Sequence, residues 1–156
     1  KVVKSWAQTW DWFEANEEDM LITASNADSL TRINDGEITL APAWEDHLAG
    51  LQKRGAITDR IKFYIPEFGM SGGGNFVTVA KNSQHQAASL VFINWLTSAD
   101  TQTALNAEFG TAPQHPDADS SKALISQDMR NNSTEPFNSE YSAYLKKQFT
   151  RNVLMR

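Results

Sequence analysis

The sequence predicts an α/β fold in which helices cover a sheet. Helical patterns alternate with short apolar runs of strand length over the first sixty residues. Forty per cent of the 156 residues are hydrophobic and five are tryptophans, which is enough apolar surface for a packed core. No cysteine is present, so disulfides, thiol catalysis and cysteine metal sites are excluded.

The first predicted helix covers residues 2–16. Val3, Trp6, Trp10 and Phe13 recur at helical spacing and form one apolar stripe. Clustered aromatic rings can form a platform for a ligand, but rings at this spacing are more typical of core packing. We therefore interpret the stripe as a core face.

Four short apolar runs predict strands, and the first two of them are predicted to be buried. They lie at residues 20–23, 37–41, 61–65 and 76–80. Between the first two, Ser25 with Asp28 signals the start of a helix that Gly36 stops. Trp44 opens a third helix, and Gly55 has the position of its C-terminal cap.

The second half predicts further helices. Residues 87–96 are apolar nearly all round, which predicts a helix buried on several sides. Ser98 caps a helix over residues 100–108 that Gly110 ends. The remaining expectations are an irregular segment at 112–119, a short helix near 121–127, a polar loop at 131–137 and a last helix with Tyr141, Leu145, Phe149 and Val153 on one face.

Charge and motifs exclude several functions. A net charge of −5 argues against nucleic-acid binding, which needs a basic surface. The three histidines have no zinc-motif spacing, and adjacent acids such as Glu45 and Asp46 point in different directions on a helix. We therefore predict no metal site, no cofactor and no catalytic residues.

A glycine-rich loop, Met70 to Asn75, is the first candidate site. Gly72, Gly73 and Gly74 match neither phosphate-binding glycine motif. Their backbone amides can still approach a ligand closely or form an anion nest, and the loop can equally serve as a hinge; the two readings are compatible. We predict that at least one of the three has a positive φ and that the loop lies beside a hinge.

Trp44 is the second candidate. It follows the predicted strand at 37–41, and the ends of strands in such folds face the ligand crevice. Its ring offers a stacking surface, and the nearby Asp46 can meet a cationic group. The alternative is that Trp44 packs on the core at the start of its helix.

Residues 25–116 resemble the type II periplasmic solute-binding proteins of bacterial ABC transporters. Six pieces occur in the family's order: S-N-A-D-S-L-T-R-I-N-D-G-E-I-T-L, A-W-E-D-H, I-K-F-Y-I-P-E-F-G, N-F-V-T-V-A-K-N-S, A-A-S-L-V-F-I-N-W-L-T-S-A-D-T-Q and E-F-G-T-A-P-Q-H-P. The likeness is nearest to the spermidine/putrescine- and thiamine-binding branch. It implies a periplasmic-binding-protein-like fold with two α/β lobes that close on a solute.

The resemblance also implies that this chain is the C-terminal part of such a protein. Residues 1–70 then belong to the second lobe, 71–112 return to the first lobe, and 113–156 cross back. The implied function is capture of a small solute in the periplasm, or on the outer surface of a Gram-positive host, and its delivery to an inner-membrane permease. One alternative is an enzyme, a transferase or hydrolase, that shares the two-lobed fold, and another is an interaction module without small-molecule function.

The resemblance implies ligand contacts at Trp44 and at the loop Ser71, Gly72, Gly73, Gly74 and Asn75. Relatives that bind polyamines carry an aromatic residue and an acid at this loop, and the iron binders carry paired tyrosines; this chain has neither. Thiamine or its phosphates would use both the Trp44–Asp46 pair and the glycine loop. The isolated chain is expected to self-associate, because the lobe that would cover residues 74–112 is absent.

Overall fold

A computed structural model describes residues 6–155. The predicted helix start at residues 2–5, including Val3, lies outside the described residues. The described part contains seven α-helices: α1 (Ala7–Ala15), α2 (Asn26–Asn34), α3 (Glu45–Lys53), α4 (Gln86–Leu96), α5 (Ala99–Phe109), α6 (Gln127–Arg130) and α7 (Ser139–Phe149). It also contains a 3-10 turn (Glu17–Asp19), a π-helical turn (Thr150–Leu154) and two short strands, β1 (Met70–Ser71) and β2 (Ser133–Thr134).

The chain divides into two compact units, and the first is built from both ends of the described chain. It contains residues 6–22 and 135–155. The ring of Trp6 lies edge-on to Trp10 (5.9 Å between centroids) and to Tyr141 (5.7 Å), while Phe13 meets Phe149 at 5.4 Å. The α1 stripe therefore packs on the last helix, but its rings are half-buried and no residue of α1 is fully buried.

The second unit, residues 23–134, has its core between α2 and α3. The Asp28 amide donates to the Ser25 side chain at 3.2 Å, which starts α2 as predicted. Leu30 on α2 and Leu48 on α3 are both buried, and Ile57 completes the cluster. Burial of each such side chain contributes about 1.5–3 kcal/mol, so these few residues hold the two helices together.

The fifth helix is joined to α3 at its C-terminal end. Gly110 ends α5 in the left-handed conformation (φ 69), and a Cβ there would lie 3.0 Å from that of Ala49. Asn106 is buried, and its amide group donates to the Thr111 carbonyl (2.8 Å) and accepts from the Lys122 amide (3.0 Å). One buried side chain thus bonds the backbone of two loop segments, and both hydrogen bonds are partly shielded from solvent.

The four predicted strands do not form. Among residues 6–155 the only ladder is the parallel pair of β1 and β2, with Met70 opposite Ser133 and Ser71 opposite Thr134. Residues 37–41 and 61–65 bond no other extended segment; the amides of Glu37 and Ile38 donate to the Arg32 carbonyl instead. An apolar run becomes a strand only beside a partner in register, and here no partner lies alongside.

Two helix predictions also need correction. The helix predicted at 87–96 forms as α4, but none of its residues is buried, and Leu90 and Val91 are 61% and 71% exposed. Among the described residues α5 packs on α4, and it leaves most of the apolar surface of α4 exposed. The short helix predicted at 121–127 lies instead at α6, because Ser126 accepts from the Met129 amide and caps that start.

Candidate ligand-binding site

Trp44 occupies the N-cap position of α3. Its backbone is extended (φ −85, ψ 135), and its carbonyl accepts the Leu48 amide at 3.4 Å. The residue is 55% exposed, so ring surface remains available for stacking. The first turn of α3 carries Glu45 and Asp46, which suits the positive end of the helix dipole.

The two acids after Trp44 have different surroundings. The Glu45 carboxylate is only 12% exposed and accepts from the Arg130 guanidinium at 2.8 Å and from the Leu124 amide at 2.9 Å. Asp46 is half exposed; one of its carboxylate oxygens accepts the adjacent His47 amide at 2.9 Å and lies 3.6 Å from the His47 ring nitrogen Nδ1. The Glu45 carboxylate therefore bonds groups of the protein itself, whereas the half-exposed Asp46 carboxylate can bind a cationic group of a ligand.

The glycine loop begins in β1. Ser71 pairs with Thr134, and the Gly72 amide donates to the Thr134 carbonyl at 3.1 Å. The prediction of a positive φ at Gly72, Gly73 or Gly74 is wrong, because the positive φ in this region is that of Gly69 (φ 96).

Close approach of β2, and not φ, explains the glycine at position 72. A Cβ on Gly72 would lie 2.7 Å from the Cβ of Ser133, and one on Gly69 would lie 2.8 Å from a Thr134 methyl group. Glycines therefore let the loop backbone come against β2. A Cβ on Gly73, by contrast, would meet nothing within 4 Å.

The end of the loop is open to solvent. Gly73, Gly74 and Asn75 are exposed, and the nearest heavy atom to a Cβ on Gly74 would be the Gln114 side-chain oxygen at 3.8 Å. Within residues 6–155, the amides of these three residues donate no hydrogen bond. They are available to an anion or to another acceptor on a ligand.

In the described part of the chain, neither an aromatic contact nor a hydrogen bond joins Trp44 directly to the glycine loop. The 124–134 segment connects the two. Arg130, at the end of α6, reaches Glu45 beside Trp44, and β2, three residues later, pairs with β1. Three residues span at most about 10–11 Å. The sequence reasoning missed this segment, because its partners are 79 and 85 residues away along the chain.

A separate cleft of about 490 Å³ lies beside the core of the second unit. Its walls come from the end of α2 and from residues within 36–43 and 58–63, including Arg60, Lys62 and Phe63. It contains none of the predicted site residues, although its wall reaches Ala43, one residue before Trp44. The cleft thus lies beside two of the segments that were predicted to be strands and do not pair.

The described residues carry few features of other site types. Within residues 6–155, His, Asp and Glu side chains form no group of three that could hold a metal ion. In the same range, no helix combines the length and apolarity needed to cross a membrane. The Ala24 amide lowers the pKa of the Asp28 carboxyl by hydrogen bonding, with a further contribution from Arg32, but this is a helix cap far along the chain from the candidate residues.

A family model described as bacterial extracellular solute-binding protein matches residues 1–131, a span that contains Trp44, the glycine loop and Arg130. Comparison with curated proteins and comparison with solved structures each found no match. Proteins of this description bind the substrate of a transporter outside the cytoplasm and are typically not enzymes. A mixed helical chain with little sheet is compatible with part of such a protein. The chain therefore belongs to the bacterial extracellular solute-binding protein family.

Proposed function

We propose that this chain is the C-terminal, ligand-capturing part of the solute-binding subunit of an ABC importer, from the branch that includes spermidine/putrescine- and thiamine-binding proteins. The observation that carries the proposal is an exposed aromatic ring, Trp44, two residues before a half-exposed carboxylate, Asp46, at the start of α3. Bound solute is then delivered to a membrane permease without covalent chemistry.

The proposed ligand is thiamine or one of its phosphates. An aromatic cation stacks on the Trp44 ring and is attracted by the Asp46 carboxylate. A phosphate or hydroxyl of the same ligand binds the Ser71 hydroxyl and the free amides of Gly73 and Gly74. The loop carries no acid and no aromatic residue, which makes a polyamine a poorer fit.

The test is calorimetry on the intact two-lobed protein with thiamine and thiamine phosphate. Trp44→Ala should weaken binding by more than tenfold, since an aromatic anchor commonly contributes about 2 kcal/mol or more. Trp12→Ala is the matched control, because Trp12 has nearly the same exposure (56%) and lies in the other unit. Equal affinities for the two variants would show that the ligand does not bind at Trp44.

The lobe assignment is part of the same proposal. The uncovered faces of α4 and of residues 76–80 support it, because Phe76 is 89% exposed and no residue of α4 is buried. We propose that a first lobe outside this chain covers them, with lobe boundaries near residues 70 and 112. The isolated chain then binds no ligand tightly and self-associates, by exchange of residues 74–112 between copies.

Size-exclusion chromatography with light scattering tests this assignment on the 156-residue chain. Dimers or larger species are expected at micromolar concentration. A stable monomer that buries the α4 face within itself would contradict the assignment.

A further inference from the structure

We infer that the 124–134 segment is a positioning element that holds Trp44 and the glycine loop in a fixed relation, with Arg130 as its positioning residue. The inference rests on the proposed function, which assigns ligand contact to both parts. It adds that the geometry of the site depends on an arginine that touches no ligand.

The first attachment is at Glu45. One carboxylate oxygen accepts both the Arg130 guanidinium (2.8 Å) and the Leu124 amide (2.9 Å). The side chains of Glu45 and Arg130 are 12% and 21% exposed, so solvent and salt screen this ion pair less than a surface pair. Glu45 follows Trp44 directly, so fixing its side chain limits how far the Trp44 backbone can move.

The second attachment is the pairing of β2 with β1. Ser133 and Thr134 are in register with Met70 and Ser71, and the Thr134 carbonyl accepts the Gly72 amide. The missing side chain at Gly72 is what allows this approach. The position of the loop is therefore set from the 124–134 segment.

The link between the two attachments is short and internally bonded. Ser126 caps α6, and the amides of Asn131 and Asn132 donate to the carbonyls of Gln127 (3.1 Å) and Met129 (3.2 Å). The residues between Arg130 and β2 thus form a closed turn. Because the turn is held by its own hydrogen bonds, a movement of Arg130 also moves β2. A flexible linker without such bonds would let the two move independently.

Hydrogen exchange measured by NMR on the intact protein tests the inference without any ligand. Arg130→Ala should raise the exchange rates of the Leu48 amide, bonded to Trp44, and of the Gly72 amide by about tenfold or more. The Gly110 amide, which donates to Asn106 in the same unit, is the internal reference for global destabilisation. A rise at Gly72 no larger than that at Gly110 would overturn the inference.

Two further variants complete the experiment. Arg32→Ala is the matched control, because it removes an arginine ion-paired with Asp28 and Glu37 on α2 and should leave Gly72 exchange within about twofold. Arg130→Lys keeps the charge without the guanidinium fork and should give an intermediate rate, so it decides the question if Arg130→Ala does not fold.

Thiamine is the probe for the effect on binding. Arg130→Ala should weaken thiamine binding by about fivefold or more in calorimetry, with Arg32→Ala close to wild type. Unchanged thiamine affinity in Arg130→Ala would refute the positioning role. If the wild-type protein does not bind thiamine while Gly72 exchange still responds to Arg130→Ala, the coupling is supported and the proposed ligand is wrong.

Discussion

Replacement of Gly72 by alanine tests the contact between the glycine loop and β2. The added Cβ would lie 2.7 Å from the Cβ and 2.8 Å from the hydroxyl oxygen of Ser133. Packed carbon atoms normally lie about 3.5–4.0 Å apart, so the two backbones must separate by roughly 1 Å. The Ser133 Cβ is fixed to its backbone and cannot rotate away.

The expected cost of Gly72→Ala is about 1–2 kcal/mol. Overpacking typically costs about 1–3 kcal/mol. If β1 and β2 separate, the steric clash is relieved but the Gly72–Thr134 hydrogen bond is lost. That hydrogen bond contributes about 0.5–1.5 kcal/mol to stability. Because β1 and β2 have only two residues each, this release limits the total.

Gly73→Ala is the control, since a Cβ there meets nothing within 4 Å and neither glycine has a positive φ. Alanine at such a position stabilises by about 0.4–1 kcal/mol through the unfolded chain, and this gain is common to both variants. The two neighbouring variants should therefore differ by the cost of the contact with Ser133, about 1–2 kcal/mol. In thermal unfolding of a chain this size, that difference corresponds to roughly 2–8 °C.

A second substitution locates the cause. Ser133→Gly removes the obstructing Cβ, so it should restore most of the stability lost in Gly72→Ala, and a double-mutant cycle measures the coupling. Equal melting temperatures for Gly72→Ala and Gly73→Ala, or no rescue by Ser133→Gly, would show that β2 does not lie against the loop.

Three further predictions concern the second unit. Asn106→Leu should cost about 1–3 kcal/mol in urea unfolding, because the partly buried Thr111 carbonyl and Lys122 amide lose their hydrogen-bond partner. A cost below about 0.5 kcal/mol would contradict these contacts. Gly110→Ala should lower the stability more than Gly36→Ala. Both glycines have a positive φ, which costs an alanine about 1–2 kcal/mol, but only at Gly110 would the added Cβ also lie 3.0 Å from the Cβ of Ala49. The hydrogen bond from the Ala24 amide lowers the pKa of Asp28 from its ordinary value of 3.8. The ionised Asp28 therefore stabilises the fold above pH 3.8, and this stabilisation is lost as the pH falls through the lower pKa of the folded state. Asp28→Asn should remove this part of the acid dependence of stability, and an unchanged pH profile would refute the prediction.

The helices were predictable because their signals are local. A cap residue and the amide it accepts lie within one turn, as for Ser25 at α2 and Ser98 at α5, and glycines at positions 55 and 110 end their helices with positive φ. The aromatic stripe of α1 was readable for the same reason, since its spacing is a property of one helix. The order of the six sequence pieces likewise indicated the family, because order along the chain needs no structure.

The strands and the support of the site were decided by tertiary structure. Residues 37–41 have the composition of a buried strand, but a ladder needs a second segment alongside, and none is present in the described part of the chain. The sequence placed Trp44 at the start of a helix, but it gave no sign of Arg130, which meets Glu45 across 85 residues. Local patterns specify the conformation of a segment, whereas the partner of a strand or a charged side chain depends on which distant segments the fold brings together.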